Sequence, residues 1–361
     1  MITALVATCL AFRPISLSDG SLADLEFLRE DLKGCQVVQL GEASHGTAQF
    51  STMKVRLVRY LHEKLGYNVL ALEAGMIETG LAGLKRSKLS DAQFMDAVMF
   101  SGMRGQEMKS LFAYLKSKPK LRLIGLDPQF SSDEVLTLVP EVIPTQTLAK
   151  TMANRLGEPY QYRGLTDPSE FKRRRDDYLQ WLGEALDQTG SLKSTPGLEI
   201  VKQGLKGLRA YWNYEHEVQP LDLFAKRDQA MFDHFNSQVK AEKTILWAHN
   251  GHIGKGLGYR ILGDHLIDKF QSKTFSIGLF ARKGEYKQHW SGQVSPWNAT
   301  TDGLESRFPD AGQAWFSSAK EPSLQTQSNA FEPENGGVIS FRPSERFNAV
   351  ILVNQVTPPT K

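Results

Sequence analysis

At 361 residues the chain is long enough for one large domain, or for a main domain with appended parts. Its 41% hydrophobic and 23% charged residues are ordinary for a globular protein and exclude a disordered or fibrous class. The 43 basic and 40 acidic residues leave a formal charge of +3, too small a surplus to neutralise a phosphate backbone, so no nucleic-acid partner is expected.

The first apolar stretch, 2–12, has the length of a signal-peptide core, but no Lys or Arg precedes it. It reads as a first strand or packing arm, with the remnant of a truncated export signal as the alternative. No segment approaches the roughly 20 apolar residues of a membrane helix, so no membrane partner and a cytoplasmic location are expected. The two cysteines, Cys9 and Cys35, exclude a disulfide framework and a thiolate metal cluster and read as free core thiols.

Five short apolar runs with strand character follow, at 36–40, 68–72, 121–126, 244–248 and 274–279, and a terminal one at 347–354. Between the first two, Val55, Val58, Leu61 and Leu65 recur at helical spacing and predict a helix over 49–65, stopped by Gly66. The interval 133–243 reads almost wholly helical, with helices over 170–186, 198–211 and 221–239 punctuated by Gly157-Glu158-Pro159 and Thr195-Pro196-Gly197. Its basic run Lys172-Arg173-Arg174-Arg175 sits among Glu170, Asp176 and Asp177 at helical spacing and reads as a solvated, ion-paired face. Trp181, Tyr211, Trp212 and Tyr214 read as core aromatics, with a substrate-pocket lining as the sharper alternative. After Phe280 the chemistry thins; Ser295-Pro296-Trp297 and 331–336 look like turns. Strands alternating with helices predict an α/β fold with a largely parallel sheet.

Open parallel sheets place ligands beyond the carboxyl ends of their strands. The first run ends in Gly41-Glu42-Ala43-Ser44-His45-Gly46, the second in Glu73-Ala74-Gly75, the third in Asp127-Pro128-Gln129 and the fourth in His249-Asn250-Gly251-His252. Taken singly, each carboxylate reads as a helix cap and each histidine as a satisfied polar group. Four strand ends that all deliver ionisable side chains point instead to groups converging on one edge of the sheet, as acid–base chemistry requires.

These segments, taken with Lys226-Arg227-Asp228-Gln229-Ala230-Met231 and the terminal strand, resemble the ordered motif set of the erythromycin esterase-like family, which includes succinoglycan-biosynthesis-related proteins. The resemblance runs from about residue 22 to Gln355. It implies an α/β core in two parts, 1–132 and 244–282, a helical insertion at 133–243, and a small β-rich accessory region at 283–361 whose last strand returns to the core. It also implies a monomeric, cofactor-free and metal-independent esterase that opens a macrolide lactone or related ester, the chemistry of antibiotic resistance. His45 takes the proton of the attacking water, Glu42 and Glu73 orient it, and His249 serves with them as a catalytic group. His252, Lys54, Asp127 and Arg104 are the expected substrate-binding residues. Arg104 falls in Ser101-Gly102-Met103-Arg104, where relatives commonly carry a tryptophan, so the pocket is expected to differ from theirs. Three histidines among carboxylates also suit a divalent metal, so a metal- or cofactor-binding or biosynthetic role on the same fold is the alternative. Ser44 lacks a Gly-x-Ser-x-Gly elbow and is not expected to be a nucleophile.

Overall fold

A parallel strand covered on both faces needs an unbroken apolar run, and Val37-Val38-Gln39-Leu40 is buried at every position. The structure is a computed structural model that describes residues 11–18, 20–129, 133–162, 165–214, 220–256, 258–289 and 291–360. Cys9 and most of the 2–12 stretch lie outside the described residues; Cys35 is buried.

The strands are β1 (Arg13–Ile15), β2 (Val37–Leu40), β3 (Val69–Gly75), β4 (Arg122–Asp127), β5 (Thr244–Trp247), β6 (Thr274–Lys287), β7 (Val294–Pro296), β8 (Ala314–Ser318), β9 (Ser328–Glu332), β10 (Gly337–Phe341) and β11 (Ala349–Val356). One sheet runs in the order β1-β8-β11-β6-β2-β5-β3-β4, with β7 beside β6, while β9 and β10 form a separate antiparallel ribbon. From β11 to β4 all neighbours are parallel; β1, β7 and β8 pair antiparallel. The one polar side chain of β2, Gln39, is satisfied by the Thr274 hydroxyl at 2.9 Å and the Gly254 N–H at 2.9 Å.

The helices are α1 (Leu28–Asp31), α2 (Ala48–Leu65), α3 (Met76–Lys85), α4 (Asp91–Val98), α5 (Gln106–Ser117), α6 (Val135–Leu138), α7 (Gln146–Leu156), α8 (Pro159–Tyr162), α9 (Pro168–Gly190), α10 (Pro196–Tyr214), α11 (Pro220–Gln238), α12 (Leu262–Phe270) and α13 (Pro343–Arg346). Gly66 closes α2 in the left-handed conformation at φ +72° and donates its N–H to the Leu61 carbonyl. The Ser90 hydroxyl and the Gln93 side chain make a reciprocal capping box on α4. No helix among the described residues is long and apolar enough to cross a membrane.

Helices α6 to α11 lie between β4 and β5. Trp181, Tyr211 and Trp212 are buried there with Tyr162 and Tyr178, their ring centroids 5.3–6.2 Å apart, so they form core. Tyr214 is exposed, with the Lys226 ammonium 5.2 Å from its ring. The basic run of α9 divides. Lys172 pairs with Asp176 and both Arg173 and Arg174 with Glu170, whereas the buried Arg175 donates to the Trp212 carbonyl.

Two strands exceed the apolar runs that predict them. β6 continues to Lys287 with alternating burial, because its distal half pairs with the exposed β7. β3 continues through Glu73 to Gly75, where its register with β4 slips between Leu72 and Gly75. The slip needs Gly125 on β4: a Cβ there would overlap the carbonyl oxygens of Ala74 and Gly75. Such a bulge re-aims a side chain at a strand end, and the side chain re-aimed is Glu73.

Candidate active site

The carboxyl ends of β2, β3, β4 and β5 carry the site. After β2 the chain does not leave the sheet at once. Gly41 and Ala43 donate to the Ile277 and Leu279 carbonyls of β6, and the Glu42 carbonyl accepts from the Asn250 N–H at 2.8 Å. This pins the Glu42 backbone between two neighbouring strands, so its side chain has a defined direction.

Glu42 is fully buried and accepts from His45 Nδ1 at 2.9 Å through one oxygen and from Lys54 Nζ at 3.0 Å through the other. Burial opposes its charge, but Lys54 and the bond from His45 outweigh that and hold the carboxyl below its ordinary range. Lys54 is itself 0% exposed, although its place on α2 suits a solvent-facing lysine equally well. It donates to the Ala248 carbonyl at 3.3 Å and lies 4.4 Å from the Trp247 ring. Burial brings it down to about 8 against the pull of Glu42. These contacts place Lys54, expected at the substrate, against Glu42, the Ala248 carbonyl and the Trp247 ring.

His45 Nε2 faces the centre of the cluster, 3.5 Å from Glu334 and 3.9 Å from Glu73. Burial works against its protonation, but Glu334, the bond to Glu42 and the Glu73 charge raise it to about 9. At neutral pH the resting ring is therefore an imidazolium.

Glu73 accepts from the His249 main-chain N–H at 2.7 Å through one oxygen. Its other oxygen meets Arg227 at 3.0 Å and His252 Nε2 at 3.1 Å. Burial opposes the charge, yet His252, His45 and Arg227 together hold it well below the ordinary carboxylate range. Arg227, on α11, also makes two bonds to the fully buried Asp127, a forked geometry that a lysine cannot supply. Asp228 accepts from His252 Nδ1 at 2.6 Å and from the Leu262 N–H at 2.7 Å. Burial notwithstanding, Asp228 and Glu73 lift His252 to about 10. Asp127 and His252, expected at the substrate, are thus locked into a buried ion network that fixes Glu73.

His249 is the contrasting imidazole. Burial, and then the charge on His45, bring it down to about 4, so it is neutral. Its Nδ1 accepts from the Gly251 N–H at 3.0 Å, which assigns the remaining proton to Nε2. That Nε2 is buried without a hydrogen-bond partner among the described residues and lies 3.8 Å from Glu334.

Glu334 and Arg227 are the residues that sequence reasoning did not select. Glu334 sits on a short helical turn, Pro333–Asn335, which follows β9. One of its oxygens accepts from the Ser44 hydroxyl at 2.9 Å and the His45 N–H at 3.0 Å; the other faces His45 and His249. The turn is held by Glu332, which accepts from Asn250 at 3.0 Å, Asn335 at 2.7 Å and Arg346 at 3.2 Å. The stretch 331–336 is a turn, but one that delivers a carboxylate. Arg227 lies within the family-like segment Lys226-Arg227-Asp228-Gln229-Ala230-Met231, which is the one signal of its role; nothing local distinguishes Glu334. Ser44 is fully buried with its proton given to Glu334, which leaves it no approach to a carbonyl.

Arg104 does not join the cluster in its described contacts. It donates to the Met99 carbonyl at 2.8 Å and the Asp96 carbonyl at 3.0 Å and pairs with the Asp96 carboxylate at 3.6 Å. From the same segment Phe100 does approach, with its ring 6.4 Å from that of His45, and His289 from beyond β6 lies 5.5 Å from both rings. Among the described residues no three His, Cys, Asp or Glu side chains are arranged to hold a metal ion. The carboxylates face ammonium, guanidinium and ring N–H groups, which occupy the lone pairs a cation needs.

The sequence pattern of the erythromycin esterase family matches residues 62–356. YbfO of Bacillus subtilis, which carries a provisional hydrolase name, is 26% identical over 75% of this chain and 70% of its own length. Erythromycin esterase type I of Escherichia coli is 23% identical over 64% of this chain and 65% of its own length. The crystal structure of a succinoglycan biosynthesis protein superposes with a TM-score of 0.77 at 16% identity, covering 97% of this chain and 96% of that one. The match over 62–356 and the shared fold establish that the chain belongs to the erythromycin esterase family.

Proposed function

We propose that the protein hydrolyses a carboxylic ester or lactone with a water molecule activated by His45. The observation that carries this reading is the pairing of two unlike imidazoles across one gap. His45 is anchored at Nδ1 by Glu42 with its Nε2 turned to the centre, and His249 presents a neutral, unpartnered Nε2–H to the same place.

His45 must first lose the proton that its carboxylate surroundings hold. Neutral Nε2 then takes a proton from water as the water oxygen bonds to the carbonyl carbon, and the imidazolium forms against Glu42 and Glu334. The carbonyl π electrons move to oxygen, and the His249 Nε2–H donates to the oxyanion, a contact worth about 10²–10³ in kcat where measured elsewhere. Collapse breaks the C–O bond, and His45 returns its proton to the leaving alkoxide. Glu73, Arg227, Asp127, His252 and Asp228 hold the floor of the site and Lys54 holds Glu42. The macrolide specificity of the named esterases is one version of this chemistry, and Phe100 and His289 shape the mouth where a ring would enter.

The test is hydrolysis of a panel of macrolide lactones and simple esters by the wild type, His45→Ala and His249→Ala, with and without chelator. Chelator-insensitive turnover, abolished by the first substitution and cut about a hundredfold in kcat by the second, supports the reading. Turnover that survives His45→Ala overturns it.

A further inference from the structure

Away from this cluster, a groove of about 410 Å³ lies along the outer edge of β4, between α3, α5, α10 and α11. That volume is within the roughly 300–1,000 Å³ of small-molecule pockets. Leu84, Leu123, Ile124 and Ile200 line it, and Leu84 is 50% exposed at its mouth. Three cations also line it, Arg86, Lys116 and Arg122, and no carboxylate does.

Two of those cations are neutralised nearby, Lys116 by Asp91 at 2.9 Å and Arg122 by Glu242 at 2.9 Å. Arg86 is not. Its Nε donates to the Gly83 carbonyl at 2.7 Å, and Nη1 to the carbonyls of Leu121 at 2.8 Å, Leu115 at 3.2 Å and Lys118 at 3.5 Å. Carbonyl dipoles fix the fork in place without supplying a counter-charge, and Nη2 has no partner among the described residues. Burial pulls its pKa down, as expected for a cation short of compensation.

His234, on α11, is the second observation. It is 8% exposed, it lines the groove, and its ring makes no hydrogen bond to any described residue. Burial lowers it to about 4, so the ring is a neutral donor and acceptor at physiological pH. Buried polar side chains in native proteins are satisfied by some partner, and here the open side is the groove.

We propose that this groove binds a small organic acid with an apolar chain. Its carboxylate offsets the charge of Arg86, its chain covers Leu84, Leu123, Ile124 and Ile200, and His234 completes the polar contacts. The carbonyl bonds at Nε and Nη1 hold the guanidinium still and leave the Nη2 N–H groups to donate, and an acid is the charge the lining lacks. The site is separate from the hydrolytic cluster and does not depend on the reading of it.

Isothermal titration of the full chain with sodium decanoate, below its micellar concentration, tests the proposal. The expected result is 1:1 binding that Leu84→Asp weakens about tenfold or more by placing an anion at the exposed mouth. His234→Phe weakens it similarly, while His45→Ala leaves it unchanged. Decyltrimethylammonium, with the same chain and the opposite charge, should not bind. The proposal is overturned by no binding, by binding that Leu84→Asp spares and His45→Ala removes, or by equal binding of the cationic amphiphile. Self-association in sedimentation that Leu84→Asp abolishes, without decanoate binding, would also overturn it and assign the groove to a second copy of the chain.

Discussion

Glu334→Gln is the most informative perturbation, because it removes a charge while leaving shape and hydrogen bonding almost intact. The amide oxygen can still accept from the Ser44 hydroxyl and the His45 N–H, but the negative charge 3.5 Å from His45 Nε2 is gone. Burial lowers the affinity of His45 for its proton, and among the groups that restore it Glu334 comes first. A group titrating at about 9 is neutral in about one molecule in a hundred at pH 7 and in about half at pH 9. Wild-type kcat/KM should therefore climb about fiftyfold between those values. Opposite charges 4 Å apart interact by about 4 kcal/mol in a partly solvated site, and a third of that changes proton affinity about tenfold. The Gln variant should thus carry about ten times more neutral His45 at pH 7, with the rising limb of its profile displaced towards neutrality. The assays are kcat/KM against pH on whichever ester turns over and an NMR titration of the His45 ring, which needs no substrate. A wild-type profile flat from pH 7 to 9, or a limb that moves to higher pH in the variant, would refute the reasoning.

Lys54→Met leaves a fully buried Glu42 carboxylate with His45 as its remaining charged partner and should cost about 3–5 kcal/mol in urea denaturation. Adding Glu42→Gln should return a large part of that stability, and a single-variant loss below about 1 kcal/mol would show that the pair is not desolvated. Stability itself should peak near pH 6.5. His45 and His252 bind protons more tightly folded than unfolded, so their contribution is complete below about 6.5 and is lost as pH rises through about 9 and 10. His249 and His234 are held neutral, so theirs is lost as pH falls from about 6.5 through 4, and the depressed Glu42 and Glu73 add to the loss in acid. Urea midpoints measured from pH 4 to 10 check the shape; a midpoint level between 6.5 and 9 would be inconsistent with these histidines.

How much of this was legible in the sequence depends on how local the cause was. Glu42, His45, Glu73 and His249 stand directly after apolar runs, and the rule that parallel strands deliver chemistry at their carboxyl ends was enough to collect them. The helix α2 was legible from its repeat and its terminal glycine, yet the repeat could not say that Lys54 points inward, because the position is decided by where Glu42 lies across the sheet. Arg104 looked eligible by charge and neighbourhood, and its described contacts run to the Met99 and Asp96 carbonyls and the Asp96 carboxylate. Glu334 was invisible for the same reason, and Arg227, although inside a family-like segment, was given no role. One sits on a helix, the other in a turn, and their partners lie far off in the chain, Glu73 154 residues from Arg227 and His45 289 from Glu334.

The central place of β2 sets the order in which this protein can be made. Val37 pairs on one side with Thr244 and on the other with Thr274, so a strand synthesised early has both neighbours synthesised late. At about 5–20 residues per second, its two edges stay unclaimed for roughly 10–40 seconds while the intervening helices emerge. Glu42 and Lys54 must wait together through that interval without Ala248 or Trp247 to shield them. Any pause in synthesis between β2 and β5 lengthens that exposure, whereas a pause after β6 has emerged leaves both edges of β2 already claimed.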